Sequence, residues 1–220
     1  MGICLGLFLV VLIYLLVKKR SHLKYFLFGI CGFTISQVIL RIPLLTMVQG
    51  TVAFQEFNLI YPFLVIFLLC FTAGLFEEPA RFLFLRTTSK KDADLQIPLF
   101  YGLGHGGIEA ALFVGVNNLI MLCTQQSLLI ALDWTVFLAG LERISAIMIH
   151  LGLSYIVYYG IMKSNKLYLL LAILLHTCVN MGIMLLQFGV SELVYELLLC
   201  VVALVLIVCV RFLTQKGLRL

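Results

Sequence analysis

Two glutamates and an arginine lie one helical turn apart in an apolar stretch of the chain, LFEEPARFLFLR. Glu77 and Glu78 precede Arg81 by four and three residues. Side chains three or four residues apart share a face of a helix, so both carboxylates are expected to reach the same guanidinium. Like charges repel, so one carboxylate can stay ionised beside the arginine while the other holds a proton. Such a pair can supply a general base.

Imidazole and amide side chains follow in two later apolar stretches. His105 and Glu109 are four residues apart in YGLGHGGIEA, and His176 and Asn180 are four apart in HTCVN. A carboxylate with a histidine can activate water by general base catalysis. A histidine with an asparagine can donate hydrogen bonds to a developing oxyanion. Together these groups could hydrolyse a peptide bond without a serine or cysteine nucleophile.

A further histidine lies in LERISAIMIHLGLS, where His150 follows Glu142 by eight residues and Arg143 by seven. The three side chains fall roughly on one helix face. A metal site is also open, because three histidines and a glutamate form a zinc ligand set with one position left for water. The sequence contains no HExxH motif. The candidate metal ligands are His105, Glu109, His150 and His176.

The composition indicates that these residues lie in a membrane. Of the 220 residues, 63% are hydrophobic and 11% are charged, whereas a soluble domain carries about 25% charged residues. This excludes a soluble globular enzyme, a disordered protein and a nucleic-acid-binding module. Each ionisable side chain at the bilayer centre costs about 2.5–3.5 kcal/mol on insertion scales. The charged groups must therefore be paired, protonated or in contact with water.

Seven apolar runs predict a single all-α membrane domain over residues 1–220, a polytopic bundle of about seven transmembrane helices. The runs cover residues 3–17, 25–48, 59–85, 97–122, 134–162, 167–187 and 193–213. Among the connectors, only alternate ones carry basic residues, so the positive-inside rule predicts an outside N-terminus and a cytoplasmic C-terminus. An eighth span within 124–140 would break this alternation. Because basic residues follow the first run rather than precede it, we expect a retained helix and not a signal peptide.

The predicted depths bring the chemical groups together. At a rise of about 1.5 Å per residue, Glu77, His105, His150 and His176 fall between the membrane centre and the inner leaflet. We therefore expect four helices to converge on one pocket that opens towards the cytoplasm, with Glu142 and Arg143 further out as a brace.

Small and polar residues in the remaining spans are expected to serve packing. Gly102, Gly106 and Ala110 form a stripe of small residues along which another helix can approach closely. Arg41, four residues after Gln37, is expected to be structural, either neutralising a glutamate or reaching the outer surface.

The motifs resemble those of the glutamate-type intramembrane peptidases, which include the CAAX-processing, bacteriocin-processing and PrsW-like proteases. EEPAR at 77–81 resembles the EExxR motif of that superfamily, and HTCVN at 176–180 resembles its HxxxN motif. GHGGIE at 104–109, followed by Glu142, Arg143 and His150, looks closest to the YhfC-type branch of these membrane peptidases. The resemblance covers residues from about 75 to about 180.

The resemblance implies that Glu77 or Glu78 activates the attacking water together with His105. It implies that His176 and Asn180 stabilise the tetrahedral intermediate. The use of a metal stays open. The residues expected to support the catalytic group are Arg81, Glu109, Glu142, Arg143 and His150.

The sequence therefore predicts an intramembrane endopeptidase of the bacterial plasma membrane that cleaves a hydrophobic or membrane-anchored peptide, with zinc as a candidate cofactor. A proton-coupled transporter or permease subunit is an alternative, because the same groups could relay protons. Against it, the sequence shows no internal repeat and no paired broken helices. A non-catalytic immunity or regulatory protein that only binds peptides is the third hypothesis. Substitution of Glu77 or His105 distinguishes the three.

Overall fold

The computed structural model describes residues 2–88, 94–125 and 134–217, and this part of the chain is helical almost throughout, with no β-strand. Short turns join the helices. We number them α1 (Gly2–Lys18), α2 (Arg20–Gln49), α3 (Val52–Ile60), α4 (Pro62–Leu85), α5 (96–125), α6 (Trp134–Met162), α7 (Leu167–Met181), α8 (Met184–Gln187) and α9 (Glu192–Gly217).

In the described part of the chain, six helices are long and apolar enough to cross a membrane: α2, α4, α5, α6, α7 together with α8, and α9. The apolar α1 has 17 residues and is about 25 Å long, slightly less than the bilayer's hydrocarbon thickness of about 30 Å. The prediction of an all-α bundle with about seven spans is confirmed. The orientation across the membrane stays a prediction. The eighth span rejected within 124–140 falls partly on residues 126–133, which lie outside the described residues.

The outside of the bundle is apolar and part of its interior is charged. Leu59, Leu204 and Val205 are more than half exposed, whereas Glu78 and Arg81 are fully buried. In a bilayer the exposed aliphatic side chains face lipid tails and need no further cover. The buried charges need partners inside the bundle, and the site described below provides them.

Glycine allows α2 and α5 to touch backbone to backbone. A Cβ atom on Gly29 would lie 2.1 Å from the carbonyl oxygen of Tyr101, and one on Gly104 would lie 2.1 Å from that of Phe26. Neither position has room for a side chain, so the contact requires glycine on both helices.

The opposite face of α5 packs against α6 through the predicted stripe. A Cβ atom on Gly102 would be 2.9 Å from the Cα atom of Leu151, and one on Gly106 would be 3.0 Å from that of Ile147. The prediction that this stripe admits a close helix is confirmed. Helix α5 is therefore held between α2 and α6, which fixes the direction of His105.

Two helices contain π-helical segments that the sequence did not predict. One covers Thr34–Arg41 in α2, and the other covers Ala111–Val116 in α5. A π-helical turn holds an additional residue and often occurs near a functional site. The segment in α2 ends beside the buried charges, and Gln37 within it is 4% exposed.

Candidate active site

The Glu77 carboxylate lies at the centre of three imidazole rings. Its Oε2 atom is 2.8 Å from Nε2 of His105, 4.0 Å from Nδ1 of His150 and 3.9 Å from Nε2 of His176. Helices α4, α5, α6 and α7 each contribute one of these side chains. The structure thus brings together the four residues that the sequence placed in one band of the membrane.

Glu78 has different partners from its neighbour. Its Oε2 atom forms an ion pair with Nε of Arg81 at 2.9 Å, and its Oε1 atom is 2.8 Å from Nδ1 of His176. The expectation that both glutamates reach Arg81 is wrong for Glu77. Consecutive residues are turned by about 100° around a helix, so Glu77 points to α5 while Glu78 points to α7.

Arg81 joins α4 to α6. Its Nη1 atom donates hydrogen bonds to the carbonyl oxygen of His150 at 2.7 Å and to Oγ of Ser154 at 2.5 Å. Its Nη2 atom lies 3.0 Å from Nδ1 of His150. The fully buried guanidinium therefore helps to fix the position of His150 as well as that of Glu78.

Glu109 contacts His150 and not the histidine on its own helix. Its Oε2 atom is 2.7 Å from Nε2 of His150, and its Oε1 atom accepts a hydrogen bond from Nη1 of Arg143 at 2.9 Å. Arg143 also donates to Glu142. This arrangement links Glu142, Arg143 and Glu109 to the outer side of the His150 ring.

Gln37 is a site residue that the sequence reasoning missed. Its amide nitrogen donates to Oε1 of Glu77, and its amide oxygen accepts a hydrogen bond from Nη1 of Arg41 at 3.0 Å. Arg41 also donates from Nη2 to the carbonyl oxygen of Leu69 at 2.5 Å. Arg41 therefore acts on Glu77 through Gln37. The available signal was the pair of polar residues four apart within an apolar run.

The charges of this region nearly balance. Four carboxylates and three guanidiniums lie in it, so one negative charge is unmatched when the histidines are neutral. That remaining charge suits one proton or part of the charge of a bound cation, because an isolated charge in a bilayer is costly. The groups are Glu77, Glu78, Glu109, Glu142, Arg41, Arg81 and Arg143.

A cavity of about 230 Å³ borders Glu77, His150 and His176. Half-buried Asn180, one turn after His176, lies on its wall. The cavity extends past Arg41 and Glu142, towards the end of the bundle that contains α3 and α8. The expected opening towards the end with the basic connectors is therefore wrong, while the assignment of that end to the cytoplasm stays a prediction.

Packed side chains explain why the cavity does not reach the basic end. Arg81, Tyr101 and Leu153 are each 0% exposed. They fill the interior between the histidines and the end with the basic connectors, where the predicted pocket would have opened.

Three residues of the cluster could hold a metal ion. Ligand atoms of Glu77, His105 and His150 lie within 4.8 Å of one another. Four ligand atoms around a tetrahedral zinc ion are about 3.3 Å apart, as follows from metal–ligand distances of about 2.0–2.1 Å. The separations of 2.8 and 4.0 Å between Glu77 Oε2 and the two histidines lie on either side of that value.

The surroundings of the histidines are also compatible with a metal. His150 and His176 each place one ring nitrogen on a carboxylate, Glu109 and Glu78 respectively, which is how metal-binding histidines are usually oriented. The buried Nδ1 atom of His105 has no hydrogen-bond partner among the described residues. The residue types Glu77, His105 and His150 fit zinc, with Glu77 in the place for which the sequence suggested Glu109 and with His176 outside this group. To bind the ion, Nδ1 of His150 would have to give up its contact with Nη2 of Arg81 at 3.0 Å.

The chain is similar to a known family of membrane proteins. The model of a family described as "YhfC intramembrane metalloprotease" matches residues 3–129 and 120–206. The "Uncharacterized membrane protein YhfC" of Bacillus subtilis (strain 168) is 33% identical over 148 residues, which cover 56% of this chain and 57% of that protein. The chain thus spans little more than half the length of this curated relative. No solved structure matches the chain.

Proposed function

The chain belongs to the YhfC intramembrane metalloprotease family, and we propose that it hydrolyses a peptide bond of a hydrophobic or membrane-anchored peptide within the bacterial plasma membrane. One observation carries this proposal. The Glu77 carboxylate is surrounded by three imidazoles and borders a cavity deep in the bundle. A purely structural ion pair would not need three histidines or an adjoining cavity.

Glu77 is the residue that accepts the proton of the attacking water. Gln37 holds its Oε1 atom, so the lone pairs of Oε2 are directed towards the histidines. His105 fixes the carboxylate from the other side at 2.8 Å. A general base positioned in this way contributes about 10²- to 10⁴-fold to a rate.

His176 and Asn180 stabilise the oxygen of the scissile carbonyl. Glu78 holds Nδ1 of His176, so Nε2 is the ring atom that faces the reaction. A doubly protonated His176 donates from Nε2, and the Asn180 amide donates from the cavity wall one turn away. Donors fixed before the reaction stabilise the oxyanion without further reorganisation.

Glu77, His105 and His150 would hold a zinc ion, which when bound polarises a carbonyl and lowers the pKa of water. Glu109 and Arg143 then keep the His150 ring in position. In this arrangement the Glu77 carboxylate would be a zinc ligand as well as the central acidic residue of the site.

A second cavity, lined by apolar and polar side chains, offers the substrate a route to the cluster. A Cβ atom on Gly74 of α4 would lie 2.9 Å from the carbonyl oxygen of Ile173 on α7, so the two helices touch there. Towards the α3 end, this second cavity of about 450 Å³ is lined by Ile66 of α4 and by Ile183, which lies just after α7. Both cavities include Asn180. An extended hydrophobic peptide can therefore enter between α4 and α7.

Hydrolysis is tested directly with purified protein in detergent and a library of hydrophobic peptides, in water enriched in heavy oxygen. We expect products with one heavy oxygen in each new carboxylate, detected by mass spectrometry. His105→Gln should abolish them. Peptide retention without cleavage would indicate a binding protein. Proton flux in proteoliposomes without cleavage would indicate a transporter, and either result would overturn the proposal.

The zinc site is tested by elemental analysis of the same preparations. We expect about one zinc per chain, lost from His105→Gln and from His150→Gln but retained by Glu56→Gln, which changes an exposed residue of α3. Cleavage at the wild-type rate by metal-free protein would exclude a role of zinc in the reaction and leave Glu77 as the general base.

A further inference from the structure

A third cavity lies at the opposite end of the bundle from the candidate active site. It measures about 410 Å³ and is situated where α4 ends and where α6 turns into α7. Its polar lining includes Arg86 and Thr88 after α4, and Asn165 and Lys166 before α7. None of these residues belongs to the proposed hydrolytic cluster.

The lining of this cavity is positively charged. It contains the Arg86 guanidinium and the Lys166 ammonium and no carboxylate. Within the described ranges, neither cation has an ion pair with an acidic side chain. Two cations without acidic partners at one cavity favour an anionic ligand.

Thr88 supplies an independent sign of a ligand. Its side chain is 7% exposed, and its Oγ1 atom is buried without a hydrogen-bond partner in the described part of the chain. A buried hydroxyl without a partner has lost its hydrogen bonds to water without a replacement, which is unfavourable. Thr88 is one of the residues that line the cavity, so an acceptor bound there would satisfy the hydroxyl.

Backbone acceptors near the cavity are already used. The carbonyl oxygen of Leu85 accepts from the Thr88 amide at 3.1 Å, and that of Gly160 accepts from the Asn165 amide at 2.9 Å. Asn165 Oδ1 accepts from the Leu167 amide at 2.9 Å. The positive end of the α7 dipole adds to the two cations. The groups that remain for a ligand are therefore mainly donors.

We propose that this cavity binds a phosphate group. Arg86 and Lys166 neutralise its charge, and the Thr88 hydroxyl donates to one of its oxygens. The cavity lies at the end of the bundle with the basic connectors, where the lipid headgroups of the predicted cytoplasmic leaflet are located. Basic pockets between transmembrane helices at this level bind anionic headgroups. The phosphate comes either from such a lipid or from free phosphate in solution.

Lipid retention by the full chain tests the site. Purified protein in neutral detergent is titrated with phosphatidylglycerol or with phosphatidylcholine, and bound lipid is counted by native mass spectrometry. We expect selective retention of phosphatidylglycerol. Arg86→Gln and Lys166→Gln should each weaken it about fivefold, the equivalent of about 1 kcal/mol per basic residue. Thr88→Val should weaken it as well.

Lys18→Gln is the matched control, because Lys18 is an exposed basic residue at the same end of the bundle. It should leave retention unchanged. A second titration uses inorganic phosphate alone. If phosphate binds with the same dependence on Arg86 and Lys166 and the lipid does not, the source is soluble and the site stands. If neither substitution weakens either probe more than Lys18→Gln does, the proposal is wrong. Arg86→Lys, which keeps the charge, should retain the lipid, so weakened binding by Arg86→Gln is distinguished from misfolding.

Discussion

The Nδ1 atom of His176 lies 2.8 Å from Oε1 of Glu78, and this contact gives the two adjacent glutamates different tasks. Glu78 is paired on one side with Arg81 and on the other with His176. Among the described residues Glu77 forms no ion pair with an arginine, and it faces the histidines. We assign a structural and orienting role to Glu78 and propose Glu77 as the reactive group.

Replacement of Glu78 should therefore affect folding. In Glu78→Ala the buried Arg81 guanidinium loses its acidic partner, and breaking a buried ion pair costs about 3–5 kcal/mol. Thermal unfolding in detergent should show a large loss of stability. Glu56→Gln, at an exposed position, should unfold like the wild type. A stable Glu78→Ala protein would contradict the assignment of Glu78 as a structural partner.

Gln37 should affect the rate more than substrate binding. Gln37→Leu removes the donor to Oε1 of Glu77, and a hydrogen bond to a charged group contributes about 1.5–3 kcal/mol. We expect kcat to fall about tenfold or more while KM changes little. Gln55→Leu, at an exposed position of α3, is the control. Equal losses in both variants would mean that Gln37 does not position Glu77.

Close contact between α2 and α5 predicts a clear effect for one methyl group. In Gly104→Ala the new Cβ atom would lie 2.1 Å from the Phe26 carbonyl oxygen. Overpacking of this kind costs about 1–3 kcal/mol, and displacement of α5 should also lower activity. Gly6→Ala is the matched control, because no atom lies within 4 Å of its added Cβ. The Gly6→Ala substitution should not lower the unfolding temperature.

The sequence predicted the bundle and most of the site residues, because charge within apolar runs has few explanations in a membrane. It did not predict which neighbour each group would meet. The spacing of His105 and Glu109 indicated a shared face, yet Glu109 contacts His150 on another helix. Gln37 was grouped with Arg41 as a structural residue, and the π-helical segment at its position was not predicted. Such segments change the direction of a side chain and have no simple sequence pattern.

Asp94, just before α5, should contribute a pH-dependent part of the stability. Burial alone would raise the pKa of Asp94, but hydrogen bonds from the Gln96 amide and from His22 outweigh it and lower the pKa. The folded-state pKa is then below the unfolded one. The stabilisation is present above the unfolded pKa of about 3.9 and is lost as the pH falls through the folded value.

Asp94→Asn therefore lowers the unfolding temperature near neutral pH, and its difference from the wild type narrows as the pH is lowered past about 4. Unfolding curves recorded across that range test the sign. Glu56→Gln, compared over the same range, should stay parallel to the wild type. A difference that widens in acid would contradict the role given to Asp94.

We propose Glu77 as the reactive group of a hydrolytic site, and the decisive measurement is the rate of peptide cleavage by the Glu77→Gln variant. Glutamine keeps the size of the side chain and removes its ability to accept a proton. At equal concentrations of folded protein, we predict a cleavage rate about 10²- to 10⁴-fold below that of the wild type. The Glu56→Gln variant should cleave at the wild-type rate. Cleavage by Glu77→Gln at the wild-type rate would rule out Glu77 as the reactive group.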